Sequence, residues 1–135
     1  MNGVANGVYG GDLPNQINTP WIDFSEQSTI VGWSSYTTKR IRYKVVGNIA
    51  YVMYAIDGTS NSATTSFTLP IISKFANIIF MTYGADNGTF QIALGTSSGS
   101  TSSLLFQRYT AINSATSTWT ASGNKQIIGQ FFYEI

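Results

Sequence analysis

Apolar and polar residues alternate along most of the chain with a period of two. Successive side chains of a β-strand point to opposite faces of the sheet, so this alternation predicts strands with one buried face. No segment keeps an apolar period of 3.6 residues for more than two turns, which is the pattern of a helix. We therefore expect an all-β protein, an antiparallel β-sandwich of the jelly-roll kind with roughly eight short strands.

The clearest element is a hairpin of residues 39–46 and 49–56 around Gly47-Asn48. Gly at the first position of a two-residue loop indicates a type II′ turn, and this turn fixes the register. It pairs Val45 with Ala50, Tyr43 with Val52 and Ile41 with Tyr54, and we expect these six residues and Ile56 to face the core. The opposite face is mixed, and we expect contacts between identical subunits on it at Ile49, Tyr51 and Met53.

A second hairpin is predicted from residues 75–85 and 89–95 around Asn87-Gly88, which indicates a type I′ turn. Its register pairs Ala85 with Phe90, Tyr83 with Ile92 and Met81 with Leu94, so all six share one face. Ser122-Gly123-Asn124-Lys125 repeats the Gly-Asn hairpin chemistry. Further strands are expected at residues 21–24, 29–34, 65–69, 104–110 and 126–134.

Two parts of the chain differ in composition. Residues 1–20 are rich in Gly and Asn and poor in large apolar groups, so they cannot repay their own ordering entropy. We interpret them as a linker or the end of a shaft, and residues 21–135 as one β-sandwich domain. Residues 95–103 form a low-complexity loop of Gly, Ser and Thr.

Charge and residue usage exclude several functions. Charged residues make up 10% of the chain and the net charge is +1, against about 25% charged residues in a typical domain. No basic surface is expected that would hold nucleic acid. The chain has no Cys and no His, which removes thiolate and imidazole metal sites and the Ser-His-Asp arrangement. We predict no metal, no cofactor, no nucleic-acid partner and no membrane insertion.

The acidic residues offer little for catalysis. Asp23 and Glu26 are close in sequence and could meet, as a glycosidase pair must. Asp57 and Asp86 lie at hairpin ends, where turn geometry alone favours Asp. We predict no catalytic residue and no enzymatic activity.

Several phrases carry a resemblance to a known family. They are Gly32-Trp33-Ser34, Ile41-Arg42-Tyr43, Gly58-Thr59-Ser60-Asn61-Ser62, Phe67-Thr68-Leu69-Pro70 and, near the end of the chain, Ile128-Gly129-Gln130-Phe131. In this order they resemble the C-terminal tip domains of tail-fibre and receptor-binding proteins of tailed bacteriophages. The resemblance implies a virion protein, a homotrimeric β-sandwich joined to an upstream fibre or baseplate, whose distal loops contact a host surface polysaccharide.

Candidate ligand-binding residues follow from the chemistry of sugars, which stack on exposed aromatic rings and bind amides. Trp119, Tyr109 and Tyr36 are the aromatic candidates, and Asn61 is a loop amide. Arg42 belongs to a small basic cluster that could meet an anionic glycan. Each has a plainer interpretation: most aromatic residues belong to the core, Asn61 can build an Asx-turn, and Arg42 can lie on a solvated face or pair with an acid of a neighbouring subunit.

The leading functional hypothesis is a non-catalytic virion domain that recognises a host cell-surface glycan during phage adsorption. One alternative is a purely structural virion component, such as a head fibre or a trimerisation cap. Another is the carbohydrate-binding module of a secreted enzyme. A capsule depolymerase is disfavoured by the absent His and the sparse acids.

Overall fold

The structure is a computed structural model that describes residues 17–74, 77–97, 102–111 and 113–135. These residues form nine β-strands and no helix. The predicted linker at residues 1–20 falls outside the described part except for its last four residues, and so does the centre of the loop at 95–103. The strands are β1 (Ile22–Asp23), β2 (Ile30–Val31), β3 (Trp33–Val46), β4 (Ile49–Ser60), β5 (Ser66–Thr68), β6 (Ile78–Asp86), β7 (Thr89–Ser97), β8 (Ser103–Tyr109) and β9 (Asn124–Glu134).

Hydrogen bonds join the nine strands into one sheet in the order β1-β3-β4-β9-β6-β7-β8-β5-β2. Every neighbouring pair is antiparallel. The prediction of an all-β antiparallel fold is confirmed. The described strands form a single curled antiparallel sheet.

A bend at Gly32 shows how far the sheet curls. Strand β2 stands last in the sheet order, yet it continues through Gly32 into β3, which stands second from the other end. The two ends of the sheet must therefore approach each other at this residue. Gly32 has a φ of +119°, and a Cβ there would lie 2.7 Å from the Thr64 carbonyl oxygen. Only glycine fits this corner without strain.

The core is a cluster of aromatic rings around Tyr54 on β4. Its ring centroid lies 5.4 Å from that of Phe67 on β5 and 5.3 Å from that of Phe106 on β8. Phe131 on the neighbouring strand β9 is 6.1 Å away. Strands β5 and β8 are far from β4 in the hydrogen-bonding order, so these contacts cross the interior of the curled sheet.

Both hairpins have the predicted register. Val45 pairs with Ala50 and Ile41 with Tyr54, and the core-facing residues of β3 and β4 are buried apart from the half-buried Tyr43. Gly47 has a positive φ of 60°, as the first position of a type II′ turn requires. Asn87 and Gly88 have φ values of 51° and 74°, as a type I′ turn requires.

The second hairpin shows which face of a strand is inward. Ala85, Tyr83 and Met81 pair with their predicted partners, but Phe90 and Tyr83 are exposed, so the expectation that most aromatic residues face the core is wrong for these two. The inward positions of β6 and β7 include the small residues Gly84, Ala93 and Gly95. A Cβ on Gly84 would lie 2.7 Å from the Trp119 ring, and one on Gly95 would collide with the Phe80 ring. The Trp119 ring and the Phe80 ring of β6 itself fill this space, and the other large residues of the hairpin, Met81, Tyr83, Phe90 and Ile92, point outward.

The segment Ser122–Lys125 does not form the hairpin that its Gly-Asn chemistry suggested. Asn124 begins β9, which pairs with β4 and β6 rather than with the preceding segment. Gly123 has a positive φ of 76° and its carbonyl accepts a hydrogen bond from the Ser60 N–H. The Gly-Asn sequence thus lies in the connection that leads into β9 and not in a two-residue hairpin turn.

We predict that Phe106→Ala lowers the free energy of unfolding by about 3–5 kcal/mol, because it empties ring-sized space in a packed core. Phe106 is 1% exposed and contacts Tyr54, Phe67 and Phe80. The control is Ile72→Ala, a change at a loop residue that is 59% exposed. Urea titrations followed by fluorescence measure both, and equal losses for the two variants would contradict the central role of the ring cluster.

Candidate functional site

The outer face of the curled sheet is the most unusual surface of the molecule. Ten large apolar side chains on its central strands are between 38% and 69% exposed. Cross-strand pairs such as Tyr51 with Phe132 and Tyr83 with Ile128 make them neighbours. Monomeric soluble proteins rarely expose contiguous apolar area of this size. The ten are Tyr51, Met53, Ile79, Met81, Tyr83, Phe90, Ile92, Leu105, Ile128 and Phe132.

Charge is absent from the centre of this outer face. The polar side chains that alternate with the apolar ones there are uncharged, among them Gln126, Gln130 and Gln107. Charged side chains lie at its borders, with Arg42 and Lys44 on β3 and Glu134 at the end of β9. A charge-free apolar centre with a charged border is the composition of a surface made for contact.

One groove, which we name the Phe132 groove, lies beside β4, where β9 and β6 are no longer paired with each other. It has a volume of about 660 Å³. The rings of Tyr51 and Phe132 contact each other in it at 5.9 Å, and Trp21 closes one side. The Arg42 guanidinium lies 5.7 Å from the Trp21 ring centroid, a cation–π contact that holds the indole there. Gln130, Asn77 and Glu134 supply its polar edge.

A second groove, which we name the Tyr109 groove, lies on β7 and β8 and has a volume of about 530 Å³. It combines aromatic and aliphatic side chains with uncharged amides and hydroxyls. Phe90 is 62% exposed, and its ring packs at 5.4 Å against that of Tyr83, which holds it in place. The lining residues are Met81, Phe90, Gln91, Ile92, Tyr109, Thr110, Ala111, Asn113 and Ser114.

The polar wall of the Tyr109 groove is held by its own hydrogen bonds. The backbone groups of Arg108 and Ser117 bond to each other in both directions, at 3.0 Å and 2.7 Å, which closes the base of the loop. Within the loop the Ser114 hydroxyl donates to the Ala111 carbonyl oxygen at 2.6 Å. The Arg108 Nε donates to the Thr118 carbonyl oxygen and lies 3.2 Å from Asp86 Oδ2. This loop geometry is therefore anchored in the interior.

The anchor is part of a buried polar cluster around Lys125, which is fully buried. Its ammonium group donates to the Ser62 carbonyl oxygen at 2.8 Å and to Thr65 Oγ1 at 2.9 Å. It also lies 4.9 Å from the centroid of the Trp33 ring and 6.0 Å from that of the Trp119 ring. Burial lowers the pKa of Lys125 to about 8, and the Asp86 carboxylate partly opposes that effect.

The burial of Trp119 contradicts its prediction as a ligand-stacking residue. It is 2% exposed, and its indole N–H donates to the Phe106 carbonyl oxygen at 2.9 Å. The ring fills the space above Gly84, which has no side chain to compete for it. Trp119 therefore belongs to the core although the segment around it is rich in Ser and Thr, and neither face of its ring is accessible to a sugar.

The structure does not bring the other predicted ligand residues together. Tyr109 lines the groove named after it. Tyr36 and Arg42 are exposed on β3, which four intervening strands separate from β8. Tyr36 carries the Lys39 ammonium 5.5 Å above its ring, and Asn61 is exposed beyond the end of β4. Of the five candidates, Tyr109 alone lines either groove, among the residues that the structure describes.

The predicted interface residues lie on the outer face. Tyr51 and Met53 are 41% and 43% exposed and both line the Phe132 groove. Ile49 is half-buried at the border of that face, opposite Glu134. Whether other subunits cover them stays a prediction.

The acids that could have formed a catalytic pair make separate contacts. Asp23 Oδ1 accepts hydrogen bonds from the Ser25 hydroxyl and the Ser25 N–H, which lower the pKa of Asp23, the opposite of what a general acid needs. Glu26 pairs with Lys39 at 3.0 Å. In the described part of the chain no three acidic side chains meet in a way that could hold a metal ion. The same residues contain no helix that could cross a bilayer.

Sequence reasoning missed the residues that complete the Tyr109 groove. Phe90 and Ile92 were placed on the correct common face, but alternation does not say which face is outward. Gly84 and Gly95 on the opposite positions of the same strands were the available signal, since glycine on a face leaves room for side chains from elsewhere. Asn113 adopts a positive φ of 66° in the groove loop, which its sequence neighbours did not indicate.

We predict that stability rises between pH 8 and pH 9.5 because of Lys125. Its pKa is about 8 in the folded protein and about 10.4 in an unfolded chain. The unfolded state therefore binds more protons in this range, and the free energy of unfolding increases with pH by roughly 1–2 kcal/mol. Above pH 10 the trend reverses, because burial raises the pKa of Tyr133 to about 12, and unfolded tyrosines ionise first.

Urea titrations at pH 8.0, 8.8 and 9.5 measure this rise. Lys125→Met should abolish it, whereas Lys74→Met, a change at an exposed lysine, should preserve it. A free energy of unfolding that is constant or falls from pH 8 to pH 9.5 in the unaltered protein would contradict the lowered pKa of the buried Lys125 ammonium group.

Comparison with known proteins adds no assignment. No protein-family model matches the chain, and no curated protein is significantly similar to it. The resemblance to phage tail-fibre tip domains therefore stays a prediction.

Proposed function

We propose that this chain is a non-catalytic virion domain that recognises a host cell-surface glycan through the Tyr109 groove. The observation that carries the proposal is the composition of that groove. Phe90 and Tyr109 present aromatic rings beside the amide of Asn113 and the hydroxyls of Thr110 and Ser114. The C–H face of a sugar stacks on an aromatic ring, and amides donate to and accept from its hydroxyl groups.

The assembly that we propose is a homotrimeric fibre tip in which each subunit is a β-sandwich domain. The curled sheet, whose distant strands contact each other across the core, is compatible with two packed layers. The trimer is supported by the outer face. A stable interface buries about 800 Å² on each partner, and seven of the ten exposed large side chains lie outside the Tyr109 groove, where they contribute apolar area to such an interface.

The two grooves divide the outer face between these roles. The Phe132 groove contains the aromatic pair of Tyr51 and Phe132 and the second predicted contact residue, Met53. The Tyr109 groove is its neighbour along the sheet, on β6, β7 and β8, and lies close to the β6–β7 turn at Asn87 and Gly88. Copies of the chain cover the Phe132 groove, and the Tyr109 groove stays open to the host surface. The domain joins an upstream fibre or baseplate.

The second candidate is a purely structural virion component. The outer apolar face favours it directly, because assembly through that face needs no ligand. A carbohydrate-binding module of a secreted enzyme, by contrast, works as a monomer and has no use for so large an apolar face. Glycan binding at the Tyr109 groove separates the leading proposal from the structural one.

We predict that Tyr109→Ala weakens binding to host cells or their purified surface polysaccharide by at least tenfold. Loss of a stacking ring removes contact area that the remaining amides cannot replace. The matched control is Tyr36→Ala, which removes another partly exposed tyrosine from strand β3. Flow cytometry of labelled protein on cells, or calorimetry with polysaccharide, measures both variants.

If Tyr109→Ala binds as tightly as Tyr36→Ala, the Tyr109 groove is not the glycan-binding site. Loss of binding with Tyr36→Ala alone would move the site to β3, near Lys39. Absence of any binding by the unaltered protein, across cells of several bacterial hosts, would favour the structural component.

A further inference from the structure

We infer that the Tyr109 groove selects an uncharged sugar that carries an apolar substituent, such as the methyl group of a 6-deoxy sugar or of an N-acetyl group. This inference rests on the proposed function and specifies its ligand class. It depends on three properties of the groove, namely its lack of charge, its aliphatic wall and its uncharged polar groups.

The groove offers no charge to an ionic ligand. None of its described lining residues carries a formal charge. The nearest charges belong to Arg108 and Asp86, which neutralise each other at 3.2 Å, and Asp86 is 5% exposed. The basic side chain of Arg42 lies on β3, across four strands. A uronic or sialic acid bound here would lose hydration without gaining a cation, so an uncharged sugar is favoured.

One wall of the groove is aliphatic. Met81 is 69% exposed and Ile92 is 38% exposed, and both line the groove next to Phe90. Hydroxyl groups set against this wall would exchange water for carbon atoms with no hydrogen-bond partner, which costs free energy. A methyl group in the same place gains by burial. The wall therefore complements a sugar that carries a methyl group, either in place of a hydroxymethyl group or at the end of an N-acetyl group.

The remaining polar groups suit the rest of such a sugar. Asn113 has one amide acceptor and two donor hydrogens, which match a ring hydroxyl or the amide of an N-acetyl group, and Thr110 and Ser114 add hydroxyl groups. The Phe90 ring is braced by Tyr83 at 5.4 Å, so it presents a fixed stacking surface. The aliphatic and polar walls lie side by side, and a ligand with one apolar and several polar substituents satisfies both.

The test is a comparison of methyl glycosides by saturation-transfer NMR and calorimetry on the full chain. The probes are rhamnose, fucose and N-acetylglucosamine, the parent hexoses mannose, galactose and glucose, and glucuronic acid. We expect the substituted sugars to bind about fourfold more tightly than their parents, which corresponds to one buried methyl group. Glucuronic acid should bind more weakly than glucose.

Met81→Gln tests the wall itself, because it keeps the length of the side chain and removes its apolar character. It should abolish the fourfold preference for the substituted sugars over their parent hexoses. The matched control is Met53→Gln, which changes an exposed methionine of the Phe132 groove. That variant should keep the preference.

The other outcomes overturn the inference in distinguishable ways. Equal affinity for substituted and parent sugars, or tightest binding of glucuronic acid, refutes the selectivity and leaves the proposed function standing. If no probe binds and host polysaccharide does not bind either, both fail. A smaller oligomer with Met81→Gln would show that a second copy of the chain, and not a sugar, occupies this groove.

Discussion

The ring of Tyr54 makes the contacts on which the rest of the fold depends. Four phenylalanines from four other strands surround it, among them Phe67 and Phe106 from the far side of the sheet. A sheet that stayed open would leave one face of this ring cluster in water. Burying it requires the sheet to curl until β5 and β8 face β4, and the corner at Gly32 lets the chain follow that curl. The inner side chains thus determine the shape of the backbone.

The same packing explains the outer face. Rings that reach across the interior need room on the inner side of β6 and β7, and glycines supply it opposite Trp119 and Phe80. Other large residues of these strands, such as Met81, Tyr83 and Phe90, are then left outside, and they form part of an apolar surface with no charge at its centre. Lys125 on β9 pairs with Asp86 on β6, and Asp86 Oδ2 lies 3.2 Å from the Nε of Arg108, whose backbone bonds close the base of the groove loop. The packing of the core and the composition of the outer face are therefore consequences of one arrangement.

Local chemistry in the sequence predicted much of this arrangement. The Gly47-Asn48 and Asn87-Gly88 turns fixed both hairpin registers, since a two-residue loop permits one pairing only. The outward face of the second hairpin could not be read from alternation, which is symmetrical between the faces. The position of Trp119 depended on an empty site above Gly84, contributed by a strand more than thirty residues away. Likewise Phe90 and Asn113 meet in one groove through strand pairing at long range, and no local pattern encodes that.

The central claim is that copies of this chain cover the outer face at the Phe132 groove and leave the Tyr109 groove open. Light scattering coupled to size exclusion measures this most directly on three proteins. The unaltered chain should have three times its 14.7 kDa mass. Phe132→Glu should reduce it to a single chain, whereas Phe90→Glu, a change at an equally exposed ring of the same face, should leave the trimer intact. A monomeric unaltered protein at all concentrations, or a trimer that Phe132→Glu does not disturb, would contradict the account.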